Sequence, residues 1–112
     1  MLRLPKQLAS AELTTSTVDQ YTAPTNSRTT ISACTVTNKT STAYYVTITQ
    51  TPSGGSARNL VYQVVVPAKS VYVVAGVVGQ TLDTGGKISA LAEANSALDF
   101  TMSGYVTTLP SA

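Results

Sequence analysis

A chain of 112 residues with seven basic and five acidic side chains is long enough for one domain, and its net charge of +2 gives no case for a nucleic-acid partner, since Lys6, Lys39, Lys69 and Lys87 stand singly rather than clustered. Hydrophobic residues make up 43% but charged ones only 11%, against about 25% in an ordinary soluble domain. The surface is therefore covered by Thr, Ser, Asn and Gln, which solvate weakly by charge, and this composition suits a protein that lies against other protein. The chain has no histidine, which removes Ser-His-Asp and Cys-His catalysis, and its single cysteine, Cys34, has no disulfide partner within the chain.

Residues 1 to 12 carry no strong hydrophobic period and contain Pro5. They read as an arm, extended or ordered only against a partner, with the sandwich beginning at residue 13. Basic residues near the start are not followed by a long apolar stretch, so the segment does not resemble a secretory signal, and no run approaches the roughly 20 apolar residues that span a bilayer. Leu13 to Tyr21 is expected as a first strand, closed by the turn formers Pro24 and Asn26. Arg28 to Asn38 is a second strand with balanced faces, where a bulge near Ser32 would switch the register.

Tyr44 to Gln50 alternates with period two, placing Tyr44, Val46 and Ile48 on one face. Positions 51 to 58, which contain Pro52, Gly54 and Gly55, form the longest loop. Asn59 to Val66 alternates again, with Leu60, Tyr62 and Val64 as the expected core row, and stops at Pro67. Ser70 to Ala75 is apolar on both faces, so it lies inside the sandwich or has one face covered by a second subunit, with Tyr72 and Val74 as the expected oligomer face. Lys87 to Ala92 and Leu98 to Thr107 are the final pair. Seven to eight strands at this spacing predict an all-β fold, an antiparallel β-sandwich of jelly-roll or immunoglobulin-like order.

Chemistry-bearing patterns are sparse. Asp83-Thr84-Gly85 matches the aspartic-protease triplet, but that reaction needs two carboxylates sharing a proton, and a turn explains it better. Five carboxylates, Glu12, Asp19, Asp83, Glu93 and Asp99, are spread along the chain, and no Asp-x-Asp run offers calcium ligands. Asn38-Lys39-Thr40 fits the glycosylation acceptor pattern. No enzymatic activity, cofactor or metal is expected. Tyr45 and Tyr105 lie opposite the clearest apolar rows and are candidates for a ligand face, since exposed tyrosines recur at interfaces and sugar sites.

Taken in order, Tyr21-Thr-Ala-Pro24, Val36-Thr-Asn38, Pro52-Ser-Gly-Gly55, Leu60-Val-Tyr-Gln63, Leu82-Asp-Thr-Gly-Gly86 and Phe100-Thr-Met-Ser-Gly-Tyr105 resemble small β-sandwich virion proteins of tailed bacteriophages, from about residue 13 onward. The resemblance implies a structural role at the head, neck or tail of a virion assembled in the host cytoplasm, with many copies arranged symmetrically and no enzymatic site. The expectation is then a capsid decoration or head–neck component. It would form a homo-oligomer, a trimer or a ring, and dock through Leu2, Arg3, Leu4 and Leu8 of its arm on a major capsid, portal, neck or tail protein. A receptor- or carbohydrate-binding module of a tail fibre, using Tyr45, Tyr105 or the 51 to 58 loop, is the alternative; a pilus-like subunit is a third reading, weakened by the lack of a signal-like start.

Overall fold

The computed structural model describes residues 3–108. Nine strands and no helix are found among them: β1 (Arg3–Glu12), β2 (Val18–Thr22), β3 (Ser27–Asn38), β4 (Tyr44–Thr51), β5 (Arg58–Val66), β6 (Val71–Val73), β7 (Thr81–Leu82), β8 (Lys87–Ala92) and β9 (Leu98–Thr108). One sheet runs β1-β9-β3-β6, with the two-residue β7 also on β3, and the other runs β2-β8-β4-β5. All the pairings are antiparallel.

The pairings are nested. β4 pairs with β5, β3 with β6, β2 with β8 and β1 with β9, so each outer pair encloses the inner ones, like one long hairpin. Rolling that hairpin brings β9 onto β3 and β8 onto β4. This is the jelly-roll order, and it settles the choice against the immunoglobulin arrangement.

Period-two alternation supplies the core. From β9, Leu98, Phe100 and Met102 point inward; from β3, Ile31, Cys34 and Val36; from β4, Val46 and Ile48; from β8, Ile88, Ala90 and Ala92. Each large buried side chain among these contributes about 1.5–3 kcal/mol by leaving water. Gly104 continues the β9 row where the strands approach most closely: a Cβ there would lie 2.1 Å from the Thr30 carbonyl oxygen.

Bulges shift the alternation where it fails as a guide. The β3–β9 register slips between Ile31 and Ala33, so the bulge expected near Ser32 is present. A second bulge, in β5, places Tyr62 and Gln63 opposite Thr47 alone. Gln63 adopts a left-handed φ of 48°, and its N–H donates to the Thr47 hydroxyl at 3.0 Å. Below this bulge Val61 is inward, above it Val66 is inward, and Tyr62, expected in the core, is turned out to solvent. The β1 and β2 edges carry register shifts at Leu8 and Gln20.

The start of the chain departs most from expectation. Residues 3 to 12, read as an arm outside the sandwich, form its edge strand on β9, while the expected first strand begins only at Val18. Leu13, between them, is fully buried: its N–H donates to the Leu98 carbonyl at 2.9 Å and its carbonyl accepts from the Ser96 N–H at 3.2 Å.

Candidate functional site

Among the described residues no group of three or more His, Cys, Asp or Glu side chains comes together. Asp83 and Asp99 lie near opposite ends of β3, one ion-paired with Arg28 at 2.9 Å and the other in register with Thr37. Asp83-Thr84-Gly85 is a turn: the Gly86 N–H donates to the Asp83 carbonyl at 2.9 Å, and the Gly85 N–H to the Ala23 carbonyl at 3.0 Å. A cleft of about 270 Å³ beside it is lined by Gln50, Pro52, Ser53, Thr81, Asp83 and Gly86, with no aromatic ring to stack on a sugar.

Cys34 is buried in the core, and burial pushes its thiol up to about 12. At neutral pH it is protonated and shielded, closed to nucleophilic or disulfide chemistry. Asn38, in the glycosylation pattern, is also buried. Its Nδ2 donates to the carbonyls of Thr42 and Val66 at 2.9 and 3.0 Å, and its Oδ1 accepts from the N–H and hydroxyl of Thr40 at 2.9 and 2.7 Å. The side chain therefore ties β3 of one sheet to β5 of the other and is unavailable to a glycosyltransferase.

What remains are surfaces. β6 was expected to present Tyr72 and Val74 to another subunit, and the structure reverses its faces. Val74 is fully buried and Tyr72 packs against the core, whereas Val71 and Val73 are 59% and 64% exposed. The parity is set by β3, where Val36, opposite Tyr72, is a core residue. Across the outside of that sheet, Val73 continues through Thr35 and Thr101 to Ser10, a row without charge.

On the outside of the other sheet, Tyr45 lies in register with Val65, and Thr47 with Leu91. Val65 is 58% and Tyr62 63% exposed, and Tyr45 and Leu91 are half-buried, so an apolar patch crosses β5, β4 and β8. Glu93 stands at its rim, its Oε1 accepting from the Tyr45 N–H at 3.1 Å. Tyr105 does not join this patch: it shares the outward parity of β9, on the opposite face of the sandwich. Tyr45 and Tyr105 therefore form no common ligand face. Tyr62 was missed by the alternation because the β5 bulge depends on Thr47, sixteen residues from Gln63 in sequence.

At the chain start, Arg3 and Leu4 lie in β1 and Leu8 is half-buried against the core at its bulge; Leu2 lies outside the described residues. Glu12 and Asp99 face each other across β1 and β9, a like-charge pair, and Lys39 resolves it by bridging both, with Nζ 3.2 Å from Asp99 Oδ1. The hydrogen bonds that Lys39 Nζ donates to Glu12 and Asp99 hold its ammonium above its usual range. No helix among the described residues is long and apolar enough to cross a membrane.

No protein-family model matches the chain, and no curated protein matches it in sequence. Solved structures do match its fold. A chain from Bacillus endospore appendages, described as a novel family of disulfide-linked pili, superposes with a TM-score of 0.57 at 16% identity, over 96% of this chain and 89% of that one. A chain from the structure of infectious bursal disease virus, Gx strain, gives 0.56 at 13% identity over 96% of this chain, which spans 33% of its length. At these identities the likeness is one of fold, an all-β antiparallel sandwich.

Proposed function

We propose that this chain is a non-catalytic structural subunit of a virion, a capsid decoration or head–neck component of a tailed phage that assembles in many copies and docks on a capsid, portal, neck or tail protein. The observation that carries the reading is a pair of exposed apolar patches on opposite outer faces, Val71 with Val73 on one and Tyr62 with Val65 on the other, on a sandwich that brings no three His, Cys, Asp or Glu side chains together among its described residues. Exposed apolar side chains on a sheet face are unfavourable in water and become favourable when covered by a second protein surface. The solved chains of similar fold come from a pilus and from a virus, which supports a building-block role. Cys34, being buried, offers no disulfide to such an assembly.

The test is the mass in solution by light scattering, from micromolar to millimolar concentration, for the native chain and for a Val65→Thr, Val73→Thr variant that keeps β-branched shape. The native chain is expected to form oligomers that the variant weakens. A native chain monomeric throughout that range overturns the proposal.

A further inference from the structure

We propose that β1 is an exchangeable strand: residues 3–12 of one copy swing out about Leu13 and pair with β9 of a second copy, so that the second copy's β1 is the occupant of the β9 edge. The inference rests on the reading of the chain as an assembly subunit and supplies its joint.

The first observation is how little side-chain burial holds the stretch from Lys6 to Glu12 of β1 in place. Its positions in register with the inward residues Gly104, Met102 and Phe100 are Lys6, Ala9 and Ala11. From Lys6 to Glu12 only Ala9 is buried, and Leu8 is half-buried. Two alanines and a lysine fill the places where the interior strands put Ile, Val or Phe. The strand is held mainly by its ladder to β9, and a ladder is the same whether its two strands belong to one copy or two.

The second observation is where the loose segment ends. Leu13 is fully buried and backbone-bonded on both sides, to Leu98 and Ser96, and the Thr14 carbonyl accepts from the Ala92 N–H at 2.8 Å. Everything from Leu13 onward is fixed in the body, so the pivot is the Glu12–Leu13 bond. The lock across that pivot is the Glu12–Lys39–Asp99 bridge, whose side chains are all substantially exposed. Such bridges are weak and screened by salt.

The third observation is the shape of the edge left behind. β9 is regular over Leu98–Thr108, because the extra residues of both its pairings lie in its neighbours, at Leu8 of β1 and Ser32 of β3. The other edges are unsuited to strand addition: β2 and β5 are bulged, and β6 has three residues. Bulges and short strands are how edges are blunted against pairing. A strand that matches β9 over its length with a bulge in the right place is the chain's own β1.

Because the ladder made is the ladder broken, the balance is one of concentration. A strand tethered by a short link sees its own groove at a local concentration on the order of millimolar, so exchange is minor in micromolar solution and competitive at millimolar local concentration, as in a packed assembly.

Gln7 and Ser103 are register partners on the exposed side of this ladder, within disulfide reach for an antiparallel pair. In a Cys34→Ala background, Gln7→Cys and Ser103→Cys chains, one isotope-labelled, are mixed at about 1 mM, a level matched to that local concentration, and oxidised. A Thr25→Cys chain in place of Ser103→Cys measures collisional cross-linking. The expected result is a mixed-mass disulfide dimer at least tenfold above that control. A doubly substituted Gln7→Cys, Ser103→Cys chain, oxidised within itself when dilute, is expected to lose the oligomers of the parent. Oligomers that persist in the locked chain, with no mixed dimer above control, overturn strand exchange and leave the assembly reading standing. Monomers at every concentration, with no mixed dimer, overturn both.

Discussion

Asn38→Asp isolates the hydrogen bonding of a buried side chain from its packing, because the two residues are nearly isosteric. Asn38 is 1% exposed, and its Nδ2 serves two carbonyls, Thr42 and Val66. With aspartate in its place, the Thr40 contacts to Oδ1 survive but an oxygen faces both carbonyls. If the carboxylate is charged, two hydrogen bonds are lost, two carbonyls are left unpaired and a charge is buried, at roughly 1–3 kcal/mol for each unsatisfied group. If it takes a proton, one donor returns, but protonating a carboxyl of ordinary pKa about 3.9 at pH 7 costs about 4 kcal/mol, and the missing second donor adds about 1. Either route gives a loss of about 4–5 kcal/mol at pH 7, a large part of the 5–15 kcal/mol that stabilises a domain of this size. The sign with pH follows: a carboxyl raised in the fold is best tolerated below its unfolded pKa, so the deficit should shrink to about 1–2 kcal/mol near pH 4. Urea unfolding of both proteins between pH 4 and 7 measures it. A variant within 0.5 kcal/mol of the native protein at pH 7, or a deficit that grows on acidification, would refute the assignment of Asn38 as the tie between the sheets.

Three further outcomes are expected. Gly104→Ala should cost at least ~3 kcal/mol, seen as a collapse of the melting temperature or as insoluble protein, because its Cβ would meet backbone at 2.1 and 3.0 Å, from Thr30 and Ile31, which cannot turn aside. Raising the pH should destabilise the fold through Cys34: its thiol is raised from 9.0 to about 12 by burial, so that stability is complete below pH 9 and is lost as pH climbs toward 12. The loss should approach about 1.4 kcal/mol per pH unit, and a Cys34→Ala chain should lack that component. Thr47→Val removes the acceptor of the Gln63 N–H, and amide exchange at Gln63 should speed up about tenfold, with a stability loss near 1 kcal/mol; an unchanged rate would mean that the bulge does not depend on this bond.

How much of this was legible in the sequence depended on whether each signal was local. The strands at Tyr44 and Leu98 announced themselves through alternation, and their inward rows lie in the core. The jelly-roll order was not legible, because nesting joins β1 to β9 across the whole chain and leaves no mark on either strand alone. Tyr62 was misassigned for a related reason: alternation carries through a strand only until an extra residue slips it, and the slip at Gln63 is held by a hydroxyl on another strand. Val74 was misassigned because an all-apolar run has no contrast between its faces, and β3 decides which side is wet.

β1 hid for the opposite reason. It is a strand without a hydrophobic row, and composition alone made it an arm. That feature was read as absence from the fold, whereas the segment is the edge strand on β9. A stretch in which, from Lys6 to Glu12, only Ala9 is buried gains little from side-chain burial in any one place, so its position is decided by which ladder is free and how near it lies. Within an isolated copy the nearest ladder is its own β9; among packed copies a neighbour's β9 offers the same hydrogen bonds. The arm and the strand are then two placements of one segment, and the concentration of copies selects between them.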